Sequence, residues 1–109
     1  MRKTATPAAG TISVTFAKAD FPTLGEKIKG VVIERIIASH STGTEFCKVT
    51  IGNGAGNVAT FNFEYEPIVL KDLGLFIPLA NYDDTVTVSV TGGTSGNNTL
   101  LVEAGGVGG

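Results

Sequence analysis

The chain holds one histidine, one cysteine and no tryptophan, so acid–base or nucleophilic chemistry would have to run through His40 or Cys47. His40 stands in Ser39-His40-Ser41. A catalytic histidine needs an orienting acid and a nucleophile on its own side, whereas neighbours on an extended chain point to opposite sides. Residues 39–44 read as a polar loop, which makes His40 a solvent-facing residue. A pH-sensitive contact or a ligand at a symmetry axis are the other roles open to a histidine there. Cys47 alternates with Val49 and Ile51 in Phe46-Cys47-Lys48-Val49-Thr50-Ile51 and reads as a small buried hydrophobe. A lone cysteine excludes an internal disulfide framework and a multi-cysteine zinc site.

The carboxylates are no more suggestive of chemistry. Asp72, Asp83 and Asp84 could offer oxygens to calcium, but no spaced D-x-D-x-D loop is present, and turn formation accounts for them. Glu64 and Glu66 fall on one strand face like a glycosidase pair, yet read as exposed charges at a strand end. Gly52-Asn53-Gly54-Ala55-Gly56 has the composition of a phosphate loop. Such a loop needs a helix immediately after it, to supply N–H donors, and here Val58-Ala59-Thr60-Phe61 reads as strand. Asn97-Asn98-Thr99 matches a glycosylation sequon, without a secretory signal to make it meaningful. The expectation is a non-enzyme with no catalytic, cofactor or metal residue.

What must position these residues is a set of short alternating segments. Val86-Thr87-Val88-Ser89-Val90 puts three valines on one face of a pleated strand and two hydroxyls on the other. Thr11 to Phe16 does the same with Ile12, Val14 and Phe16 inward. Residues 17–29 form a loop around Pro22 and Gly25, with room for one helical turn. Gly30 to Ile37 is the most apolar strand and is expected at the centre, covered on both sides. Glu45–Ile51 and Val58–Tyr65 flank the glycine-rich 52–57 loop as a hairpin. Ala59, Phe61, Phe63 and Tyr65 make a stripe on its second arm, read as core rather than as a sugar-stacking platform. Ile68–Leu70 and Leu75–Ile77 read as short strands around a 71–74 turn, and Pro78 marks an edge or an end. Thr85–Thr91 and Thr99–Ala104 close the series. About eight short strands predict an all-β, antiparallel two-sheet sandwich of jelly-roll type. Ile12, Val14, Val31, Ile33, Phe61, Phe63, Val86, Val88 and Val90 are its expected core.

Length and charge narrow the class. The 109 residues are enough for one domain with one core. Residues 1–10 read as an extended polar arm, 11–104 as the sandwich and 105–109 as a glycine-rich tail. Arm and tail show no core pattern and are expected to contact other chains. Hydrophobic residues make up 42% and charged ones 17%, below the usual ~25% charged, as expected of a surface largely covered by partners. A net charge of −2 argues against nucleic acid, which calls for a basic face. Residues 1–50 carry seven Lys/Arg against four acids, and residues 51–109 one against six, a sign asymmetry that could attract identical subunits. No segment approaches the ~20 apolar residues of a membrane helix. Met1-Arg2-Lys3 is not followed by the apolar run of a signal peptide, so a protein made in the cytoplasm is expected.

The order of segments resembles the small β-sandwich decoration, or cement, proteins and other head- or tail-associated structural proteins of tailed bacteriophages. The resemblance is carried by Gly30-Val31-Val32-Ile33-Glu34-Arg35-Ile36-Ile37, by Cys47-Lys48-Val49-Thr50-Ile51-Gly52-Asn53 and by Thr85-Val86-Thr87-Val88-Ser89-Val90, over residues 11–104. It implies a non-enzymatic virion protein that clamps major capsid protein subunits or other virion proteins by many weak contacts. It also implies a symmetric homo-oligomer, a trimer by preference. A tail or connector component, and an oligomeric carbohydrate- or receptor-binding module, are the alternatives.

Overall fold

The computed structural model describes residues 1–109 apart from 42–46, 54–55, 64–67, 80–83, 93–95 and 109; residues 26, 47, 56–63 and 68–71 are described in backbone only. Among the described residues eight strands form two antiparallel sheets. The strands are β1 (Arg2–Thr4), β2 (Thr11–Phe16), β3 (Ile28–His40), β4 (Cys47–Asn53), β5 (Gly56–Phe63), β6 (Ile68–Pro78), β7 (Val86–Thr91) and β8 (Asn98–Gly108). The first sheet has the order β1-β8-β3-β6 and the second β2-β7-β4-β5. The pairs β1–β8, β2–β7, β3–β6 and β4–β5 are the arms of one long hairpin, wound so that successive pairs fall in opposite sheets. That winding is a jelly roll.

Alternation builds the core. In the second sheet Val90 pairs Ile12 on one side and Val49 on the other, and Val88 pairs Val14 and Ile51, so each register row places apolar side chains inward. In the first sheet Val31, Ile33, Ile36, Ala38, Ile77, Leu100, Val102 and Ala104 close on them, all buried. Ile12, Val14, Val31, Ile33, Val86, Val88 and Val90 are core as expected. The side chains of Phe61, Phe63 and Cys47 lie outside the described residues, as does Tyr65 altogether. The 17–29 loop carries two 3-10 turns, Lys18–Asp20 and Gly25–Lys27.

Strand β3 is central as expected, but it is not covered on both sides: Val32 and Ile37, on its outer face, are half-buried. It is also longer than its apolar run suggests, because a bulge resets its parity. Ile33 pairs Ala104 and Arg35 pairs Glu103, leaving Glu34 without a register partner on β8. Next to the bulge the inward residues are the odd-numbered Val31 and Ile33 before it and the even-numbered Ile36, Ala38 and His40 after it. Opposite Glu34, β6 carries two residues, Leu73 and Gly74, between Asp72 and Leu75. Gly74 has a φ of +58°, a value that favours glycine. The turn expected over 71–74 is therefore a bulge inside one continuous strand. In the β4–β5 hairpin, Asn53 pairs Gly56, so the connection is shorter than the expected 52–57 loop.

The chain ends require a correction. Arg2–Thr4 is not part of a free arm: it pairs Leu101–Glu103 as strand β1, and Ala5 packs against the core. Residues 105–108 are not a free tail either. Gly105, Gly106 and Val107 pair Val32, Val31 and Gly30 of β3. Glycine suits this stretch because the loop side chains lie directly on it. A Cβ on Gly106 would stand 2.8 Å from Leu24 and from Phe21, and one on Gly108 would stand 2.8 Å from Leu24, closer than carbon atoms pack.

Candidate functional site

Polar chemistry gathers in three places: one buried, one on the outer face of the first sheet and one at the β1 edge. The buried place is an end of the sandwich where β3, β8 and the chain before β2 converge. His40 is the last residue of β3 and is buried, 2% exposed, beside a fully buried Asn98. Asn98 Nδ2 donates to the Gly10 carbonyl at 2.6 Å, which orients the amide and turns Oδ1 toward His40 Nδ1 at 2.8 Å. Since Oδ1 only accepts, Nδ1 carries the proton in that bond. The Asn98 backbone completes the node by exchanging hydrogen bonds with Ala8.

This overturns the expectation of a solvent-facing loop histidine. The bulge at Glu34 puts even-numbered β3 residues inward, so His40 falls on the core face and Asn98 supplies its partner. Ser39 points outward to the Thr99 hydroxyl, and Ser41 accepts from the Asn97 backbone N–H at 2.9 Å. The three neighbours are thus not assembled into a catalytic set. Asp72 is engaged by Arg35 Nε at 2.9 Å. Glu64, Glu66 and Asp83 lie outside the described residues. Among the described residues no group of three or more His, Cys, Asp or Glu is placed to hold a metal ion.

The surface place is the outer face of the first sheet. Arg2 pairs Glu103, Glu103 pairs Arg35, and Arg35 pairs Asp72. One register row thus reads positive, negative, positive, negative across all four strands. Arg2 approaches Glu103 at 3.4 Å, and the Asp72 carboxylate, then the field of Glu103, raise the Arg35 pKa above its ordinary value. One step along the strands, Ile37 pairs Leu101; both border a hollow of about 350 Å³ with Thr4, Ala5, Pro7 and Thr99. Phe76, 45% exposed, pairs Val32 at the other side of the ladder. Sequence reasoning missed this row because its four members are scattered over the whole chain.

A third polar contact braces the β1 edge. Lys3 reaches Asp20 at 3.0 Å and the Thr15 carbonyl at 2.7 Å, and lies over the Phe16 ring. Burial pushes the Asp20 carboxyl up, but the Ala17 N–H and the Lys3 ammonium outweigh it and hold the pKa below its ordinary value.

No family model and no curated protein matches the chain. Among solved structures it is similar to a carbohydrate-binding module, CBM36, determined with calcium and xylotriose. The TM-score is 0.52 at 14% identity, covering 91% of this chain and 78% of that one. At this identity the likeness is one of fold: both are β-sandwiches. The insecticidal delta-endotoxin Cry8Ea1 of Bacillus thuringiensis aligns at a TM-score of 0.49 and 13% identity, with this chain spanning 19% of its length.

Proposed function

We propose that the protein is a non-enzymatic structural component of a virion, a decoration or cement protein that binds capsid subunits. The observation that carries the non-enzymatic part is the position of His40. The one histidine of the chain sits inside the sandwich and is hydrogen-bonded to Asn98, so no surface imidazole is offered to a substrate. The virion part rests on the resemblance of Gly30–Ile37, Cys47–Asn53 and Thr85–Val90 to phage decoration proteins. The test is co-sedimentation of the purified protein with capsids assembled without it. Saturable binding that raises the temperature at which the particles open is expected. Binding to glycans with none to capsids would overturn the reading.

A second reading is a carbohydrate-binding module, favoured by the fold shared with a structure that carries xylotriose. Phe76 is the aromatic ring exposed among the described residues, and the hollow beside Thr4, Thr99 and Ile37 could accept a sugar. A panel of oligosaccharides titrated by calorimetry discriminates the two.

A further inference from the structure

We infer that the outer face of the first sheet pairs with the same face of a second copy about a two-fold axis. The axis lies between the two faces, runs parallel to the strands and sits over the seam between β8 and β3. The charge row decides this. From β1 to β6 it reads Arg2, Glu103, Arg35, Asp72, and turning it half a revolution about that axis reverses the order. Arg2 then stands opposite Asp72 of the partner subunit, and Arg35 opposite Glu103 of the partner subunit. All four positions are complementary, and each contact occurs twice, as an isologous interface requires. An axis along the row instead would set like charge against like at every position. An even, alternating row is therefore self-complementary in one orientation only.

The adjoining row obeys the same operation. Ile37 and Leu101 are register partners astride the seam, both half-buried in the single chain. The rotation lays Ile37 on Leu101 of the partner subunit, apolar on apolar. One group is opposed to its like. Glu34, outside the register, leans over Gly105, its Oε1 3.6 Å from where a Cβ there would stand. That places it near the axis, facing Glu34 of the partner subunit. Strands ~4.8 Å apart rising ~3.4 Å per residue give roughly 500 Å² per copy over the lengths of β8, β3 and β6, the low end for a specific interface. The pair is weak and concentration-dependent, and it takes the place of the trimer that the resemblance implies.

Sedimentation velocity of the full chain from micromolar to millimolar concentration tests this without any particle, so its failure is separate from failure of the virion reading. A monomer–dimer equilibrium that weakens with added salt is expected. Arg35→Glu and Glu103→Arg should each weaken it by roughly tenfold or more, because each sets like charges opposite one another twice. An equimolar mixture of the two variants should recover a dimer, since every reversed charge then meets its opposite. Circular dichroism matching the parent confirms that both variants fold. In the parent chain Glu34→Gln should tighten the pair. A chain that stays monomeric throughout, a dimer indifferent to both reversals, a mixture that does not recover, or no tightening in Glu34→Gln would each overturn the proposal.

Discussion

The two sheets differ in how they are put together. In the second, β7 pairs β2 and β4 without a register shift. Across β2 and β7 its outer face is a carpet of hydroxyls, with Thr11 beside Thr91 at 3.0 Å and Thr15 beside Thr87 at 3.2 Å. The first sheet carries bulges at Glu34 and Gly74, a row of alternating charges and a glycine-lined strand, and it holds both chain ends. Where alternation is regular, as in the β2–β7 pair, the outside is chemically uniform. Interruptions of that alternation make a sheet whose outside is patterned, and they carry His40 into the core.

If the first sheet depends on distant parts of the chain, removing residues 105–109 should have the largest effect. It strips β3 of its partner from Ile28 to Val32 and uncovers Phe21 and Leu24. A loss of about 3 kcal/mol or more is expected, on the scale of an emptied core site. Thermal melting checks this, and an unchanged midpoint would mean that the glycine strand is an accessory after all.

Next in size is Asn98→Ala. It takes the amide oxygen from the buried His40 Nδ1, an expected cost of about 1–3 kcal/mol for a buried group left unsatisfied, whereas the exposed Gly10 carbonyl keeps the Gly92 N–H at 3.3 Å. In a denaturant series the double variant with His40→Leu should lose less than the sum of the two single losses, because the two residues share one bond. Strict additivity would separate the histidine from the node.

The smallest effect belongs to the second sheet. Thr15→Val or Thr87→Val removes an exposed hydroxyl contact and keeps a β-branched side chain, so stability should move by less than about 0.5 kcal/mol. A loss above ~1 kcal/mol by chemical denaturation would give the hydroxyl face a structural role and erase the contrast between the sheets.

The same contrast explains what could be read from the sequence. Val86, Val88 and Val90, and Ile12 with Val14, announce their strands because alternation runs unbroken and one face is buried throughout. His40 is misread because the parity of β3 changes at Glu34, and a bulge has no composition of its own. Asn98 sits in a run of glycine, serine and asparagine that carries every mark of a turn, and what makes it a core residue is contact with Gly10 and His40, far away in the chain. Arg2, Arg35, Asp72 and Glu103 look like dispersed solvated charges until three strand pairings bring them into one row. Gly106 and Gly108 look like part of an unstructured end because the demand for glycine comes from Phe21 and Leu24, some eighty residues earlier.

The pairing of β1 with β8 bears on how this chain can be made. Arg2 and Glu103 stand 101 residues apart, and β3, the most apolar strand, has both its neighbours downstream, β6 from Ile68 and β8 from Asn98. A ribosome delivering the chain from its amino end therefore releases β3 with both edges open. Its sheet cannot close until nearly everything else has been synthesised. Contacts this remote in sequence form slowly, and an open apolar edge invites pairing with other nascent chains. Folding of this jelly roll waits for β8, and a truncated product that stops short of residue 98 is a substrate for chaperones and proteases rather than a smaller version of the same protein.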